Sequence, residues 1–132
     1  MDGIEIYEYH GAGYKPLVYS NNWMVALLNY EDSMSLENAC DIERHVKTDE
    51  VFLLLQGRAA LYLVAADQPL RVIEMQPGLV YNMTRGTWHN LLATKEAVFA
   101  IVENRDTDKF DTEIRPLNIE ERQRLLEQFP GI

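Results

Sequence analysis

The chain has 132 residues, 47% of them hydrophobic, the size and composition of one domain around one core. Twelve basic against twenty-one acidic residues give a formal net charge of −9, which excludes a basic nucleic-acid footprint and disfavours an anionic membrane surface. No apolar run approaches a membrane span, the first residues lack a basic stretch leading into an apolar one, and the single cysteine, Cys40, has no partner in the chain for a disulfide. Together these features predict a cytoplasmic protein with no membrane and no nucleic-acid partner.

In chain order, residues 4–9 alternate Ile4 and Ile6 with Glu5 and Glu8, the period of a half-exposed edge strand. Residues 10–13 are a loop; Gly11 and Gly13 have no helix behind them and make a poor phosphate loop. Residues 17–19 and 23–30 read as strands around the turn pair Asn21-Asn22. The pattern breaks at 31–33, and 34–41 is a loop or a short irregular segment. Cys40 lies at odd separation from Glu43 and His45, so in a strand it faces away from them and reads as a small buried residue rather than a ligand. Residues 51–55 are apolar on both faces, so the second face needs cover from another sheet, the C-terminal helix or another subunit. Gly57-Arg58 reads as a tight hairpin into a strand at 59–65, and strands follow at 70–75 and 79–83 between turns at 67–69, 76–78 and 85–86. Residues 88–93 and 97–102 read as a hairpin around 94–96. Such closely punctuated short strands predict an antiparallel sandwich or barrel. Residues 103–113 are charged and read as a solvated connection. Asn118 with Glu121 three residues on forms a capping box, Pro116 stands before it and Pro130-Gly131 after it. The spacing of Ile119, Arg122, Leu125, Leu126 and Phe129 predicts an amphipathic helix over about 118–129 that packs on the sheet.

Glu43 and His45 are two apart and share a face if 42–46 is extended. A fold-back at 47–49 brings Glu50 beside them. His89 follows the turn at 85–86 and can point into the same mouth, with Thr87 on its face and Trp88 on the other. Imidazoles and carboxylates side by side suit a divalent metal or a general acid–base pair. Two carboxylates converging in a partly apolar mouth repel each other and are penalised by burial. Either one is protonated, or a metal with neutral imidazoles sits between them, or they pair with imidazolium. Taken singly, each residue has a plainer reading: Glu43 as a solvent-facing strand residue, Glu50 as a turn-end carboxylate, His89 as a satisfied core histidine.

Taken together, 43–57 and 78–89 resemble the two motifs of the cupin family, the RmlC-like superfamily. The first motif has two histidines separated by one residue, then a glutamate and a glycine; His45, Glu50 and Gly57 match. The second has a glycine, a proline-x-glycine turn and a histidine; Gly78, Gly86 and His89 match. Glu43 stands where the first histidine would be, and Thr84 where the turn proline would be. The resemblance, closest to short bacterial members of unassigned function, implies an all-β fold. It would be an antiparallel double-stranded β-helix, a jelly-roll barrel, with a short C-terminal α-helix, in a single domain over 1–132 and with a barrel core over about 17–103. It implies His45, Glu50 and His89 as metal ligands, with Glu43 as a fourth ligand or as a catalytic base. The implied cofactor is a divalent manganese, iron, nickel or zinc ion. Two carboxylates make the set harder than the family's three histidines and one glutamate, which suits manganese, iron or zinc better than copper(I). Because fold does not fix function, the implied activity is a metal-dependent oxygenase, isomerase or lyase, or binding, of a small polar organic molecule. The alternatives are a metal-free ligand-binding or sensing module, or an acid–base isomerase using a His/Glu pair. Tyr62 and Tyr81 are candidate pocket donors, 31–41 and 103–113 candidate lids. A homodimer is expected from the family and from the apolar strands 51–55 and 59–65.

Overall fold

Apolar residues at every second position build most of the strands, with the alternate side chains turned inward. The computed structural model describes residues 3–132, the side chains of 108 and 109 excepted; Met1 and Asp2, part of the N-terminal stretch read above for a basic-then-apolar pattern, lie outside the described residues. The elements are β1 (Gly13–Ser20), β2 (Trp23–Asn29), a 3-10 turn (Asp32–Met34), β3 (Asp41–His45), β4 (Glu50–Gln56), β5 (Ala59–Val64), β6 (Arg71–Glu74), β7 (Tyr81–Met83), β8 (Trp88–Ala93), β9 (Val98–Asn104), α1 (Thr107–Phe110), β10 (Thr112–Pro116) and α2 (Ile119–Gln128). All strand pairings are antiparallel, in two five-stranded sheets ordered β1-β2-β9-β4-β7 and β10-β3-β8-β5-β6. This is the jelly-roll with a short C-terminal helix.

The inner faces supply one core, in which Ala26 and Leu28 of β2, Phe52 and Leu54 of β4, and Phe99 and Ile101 of β9 meet Leu61 and Leu63 of β5 and Leu91 of β8. A second, smaller core lies on the outer face of the other sheet, where Leu125 of α2 covers Ile42, Tyr62, Leu70 and Leu92. The helix starts where expected: Asn118 accepts from the Glu121 backbone N–H, and the Glu121 carboxylate accepts from the Asn118 N–H. Polar side chains then bind it to the chain around the edge strand β6. Arg124 Nε donates to Leu70 O at 2.8 Å, and Gln128 Oε1 accepts from Val72 N at 3.0 Å. Ile119 and Leu126, expected on the packed side, turn outward.

Several local expectations are overturned. Residues 4–9 form no strand, because nothing pairs with them, and Ile6 is 75% exposed. Gly57-Arg58 and 94–96 are not hairpins. Each carries the chain from one sheet to the other, since β4 and β9 lie in the first sheet and β5 and β8 in the second. Residues 103–113 are not a solvated connection: β9 runs on to Asn104, and β10 pairs with β3 along its length. Cys40 is exposed rather than buried.

The outer face of the first sheet carries two apolar rows across three paired strands. Val25, Val102 and Val51 form one, and Leu27, Ala100 and Leu53 the other. These residues are half-buried, and beyond them Trp23 and Leu55 are about half exposed. No helix among the described residues is long and apolar enough to cross a membrane.

Candidate metal centre

The strand ends place the chemistry. β3 finishes on His45 and β4 starts on Glu50, so the turn between them decides how the two side chains meet. That turn is held from a distance. Asp111 accepts hydrogen bonds from Val46 N (2.8 Å), Lys47 N (2.7 Å) and Thr48 Oγ1 (2.9 Å). Asp49 in turn accepts from Arg85 N at 2.8 Å, and Gly86 N donates to His45 O at 2.6 Å. The two turns that precede Glu50 and His89 are thereby fixed to one another. Register does the rest: Glu43 lies opposite His89, and Glu50 opposite Glu103.

Glu43, His45, Glu50 and His89 each turn a donor atom to one region, all within 4.8 Å of one another. His45 Nε2 lies 2.9 Å and His89 Nε2 3.1 Å from the same oxygen, Glu50 Oε1. The other ring nitrogens fix the tautomers. Thr112 Oγ1 donates its one proton to Thr107 O at 3.0 Å, so at 3.1 Å it accepts from His45 Nδ1–H. His89 Nδ1 lies 2.9 Å from Thr87 O, a carbonyl that only accepts, so it too carries a proton. Each neutral imidazole therefore presents a bare Nε2 lone pair. Two lone pairs and an acceptor-only carboxylate oxygen meet with no donor among them. A proton or a cation must lie between, and a divalent ion satisfies all three at once. Phe52 packs edge-on to the His89 ring at 5.8 Å and helps hold its orientation. The donor set fits a metal.

Electrostatics follow from burial and proximity. For Glu50, burial favours the neutral form, but without a metal its contacts with the two imidazoles, which become hydrogen bonds when a proton lies between, outweigh burial and hold the carboxyl at about 2. For His45, burial disfavours the imidazolium, yet the Glu50 bond and charge, with Glu43 and Glu103 behind, raise its pKa. Glu43, half-buried, is raised by burial and then by the charge of Glu50. Glu103 is pushed up to about 8, first by burial and then by Glu50, against the hydrogen bond from Tyr14.

Sequence reasoning missed three contributors. Glu103 sits on the inward face with Phe99 and Ile101, four and two residues back along the pleat. Continuing the strand's period past Val102 would have found it. Tyr14 donates to Glu103 Oε1. Thr112 orients His45 from the segment read as a connection. Tyr62 and Tyr81 do not line the cavity. Tyr62 is fully buried on the outer face of its sheet, and the Tyr81 hydroxyl accepts from Gln76 N at 2.8 Å. Trp88 points away from His89, as its parity requires, and its ring is covered by the Arg44 and Arg115 guanidinium groups at 4.6 and 4.9 Å.

No family model matches the chain, and no curated protein sequence does. Solved structures do. A cupin-2 domain containing protein from Shewanella frigidimarina is 24% identical, with a TM-score of 0.53 over 74% of this chain and 85% of that one. A 3,4-ketoisomerase from Thermoanaerobacterium thermosaccharolyticum, solved in complex with TDP, is 19% identical with a TM-score of 0.56, over 67% of this chain and 63% of that one. Oxalate decarboxylase from Bacillus subtilis, an enzyme with Mn(II) centres, is 17% identical with a TM-score of 0.52; the match covers 72% of this chain and 26% of that longer one. At these identities the likeness is one of fold.

Proposed function

We propose that this small cupin-fold protein holds one divalent metal ion between His45, His89, Glu50 and Glu43 and acts on a small polar organic molecule admitted to the adjoining cavity. The observation that carries the proposal is the meeting of two bare imidazole lone pairs with one carboxylate oxygen. When bound, the ion would supply Lewis acidity to a ligand oxygen. The protein's own groups set the rest. Thr112 and Thr87 keep both imidazoles facing inward, and Glu50 supplies the buried charge. Glu43 completes the donor set or, left free, serves as the base. The two-carboxylate set favours manganese, iron or zinc, with nickel also accommodated. A cytoplasmic setting suits the free, exposed Cys40.

Elemental analysis of the purified protein tests this. The parent is expected to carry about one manganese, iron, nickel or zinc ion per chain, and His45→Ala almost none. A parent with no metal, and none taken up on reconstitution, overturns the proposal. The 2.9 Å His45–Glu50 pair then supports a second reading, a metal-free imidazolium–carboxylate couple that binds a ligand or moves protons as an isomerase does.

We also propose a homodimer through the two apolar rows on the outer face of the first sheet. They form a continuous uncharged surface across β2, β9 and β4, self-complementary in chemistry, whereas α2 already covers the other sheet. Light scattering at micromolar concentration should give twice the chain mass, and Leu53→Glu should give a monomer; a monomeric parent removes this proposal.

A further inference from the structure

The cavity beside the cluster encloses about 480 Å³, and its wall is rich in carboxyl groups. Glu31, Asp41, Glu43, Glu50 and Glu103 line it, and among the described residues no lysine or arginine does. A divalent ion offsets Glu43 and Glu50, leaving three further acidic side chains, Glu31, Asp41 and Glu103, with no basic side chain described beside them on the wall. Glu103 is the most informative of them. It is 7% exposed, and Tyr14 fixes its Oε1. Among the described residues its Oε2 has no hydrogen-bond partner, and it stands 3.8 Å from His45 Nε2, beyond hydrogen-bond reach. A buried carboxyl oxygen left without a hydrogen-bond partner is costly, and a ligand that supplies the partner recovers that cost on binding.

We infer that the ligand of this site is a small amine, bound as the ammonium, with an N–H directed to Glu103 Oε2. Its positive charge offsets the acidic wall, and its carbon body lies against the apolar side chains Leu28, Phe52 and Ile101, which also line the cavity. The same wall repels carboxylates and phosphates, so the site selects by charge sign as well as by size. The inference rests on the metal reading for the offset of Glu43 and Glu50, and extends it by naming the class of ligand.

The test is a calorimetric or NMR titration of the purified protein, its metal content measured on the same sample, with propylamine, propanol and propanoate. These share one carbon skeleton and differ in the terminal group. Propylamine should bind roughly tenfold more tightly than propanol, and propanoate more weakly than either. Glu103→Gln should remove most of that preference and Glu31→Gln, at an exposed position, part of it, both with metal content unchanged. If Glu103→Gln does not fold, Glu31→Gln combined with Asp41→Asn carries the comparison. Four results overturn the inference: propanoate binding as tightly as propylamine; no propylamine binding up to about 50 mM; a preference unchanged in the variants; or a second metal ion per chain that is lost in Glu103→Gln, which would assign the wall to a cation. Full metal content without amine preference removes this inference alone, and absent metal removes the reading beneath it.

Discussion

Glu50→Gln is expected to release the metal while making the metal-free protein more stable than the metal-free parent. Glu50 Oε1 lies within hydrogen-bond distance of both imidazoles, so its loss removes a ligand and a buried charge together. Metal affinity should fall roughly a hundredfold or more, measured by competition with a chromophoric chelator. The glutamine amide, however, donates where the carboxylate only accepts. It can satisfy both bare Nε2 lone pairs without any cation, a gain of about 1 kcal/mol in urea unfolding of the chelated proteins. The gain should be largest at alkaline pH. With its pKa raised by Glu50, His45 stabilises the chelated parent below the ordinary imidazole range, and that contribution fades as pH rises through the raised value. The variant lacks this dependence. Retained metal, or a chelated variant less stable than the chelated parent at every pH, would contradict the proton accounting on which the site is built.

A second large effect is expected at Gly57. Its φ is +79°, and a Cβ there would meet the backbone of Ala97 at 2.7 Å from Cα and 2.8 Å from N. Neither atom belongs to a flexible side chain, so relief requires moving the chain where β4 hands over to β5. Gly57→Ala should cost about 3 kcal/mol or more, or prevent folding. Gly86 provides the control, with nearly the same φ of +80° but no atom within 4 Å of the added carbon. Gly86→Ala should cost only the conformational share, about 1 kcal/mol. Equal losses in the two variants, read from urea denaturation midpoints, would show that collision with Ala97 plays no part.

The difference between these glycines also shows what sequence can and cannot reveal. Turn chemistry marked 57–58, 85–86 and 94–96 as places where the chain reverses, and the period of two placed Glu43, His45 and His89 on inward faces. Turn residues do not say which sheet the next strand joins. The arches at 57–58 and 94–96 therefore read as hairpins, although their flanking strands pair with others far along the chain. Glu103 was passed over because a strand was ended at its last apolar residue, while the pleat continued and turned the next inward position into a buried acid. Asp111 and Thr112 were invisible for a related reason. In composition they belong to a solvated stretch, and only the β3–β10 pairing reveals that they hold the 46–48 turn and the His45 ring. The helix was readable because its capping box is a local device, with both bonds made within three residues. Its packed face was less so. Ile119 and Leu126 lie outside the patch that meets the sheet, where Arg122 instead reaches Leu36 O and Ala39 O.

The β3–β10 pairing also sets an order in time. The strand that carries Glu43 and His45 receives one of its neighbours from residues 112–116, after every candidate ligand has been synthesised. A nascent chain emerging from the ribosome therefore has all four side chains in hand well before it has Thr112 to orient His45 or Asp111 to fasten the turn. Until that last strand docks, the His45 ring lacks the partner that fixes its tautomer. On the metal reading proposed above, the geometry that would select an ion is complete only once 112–116 has paired with β3.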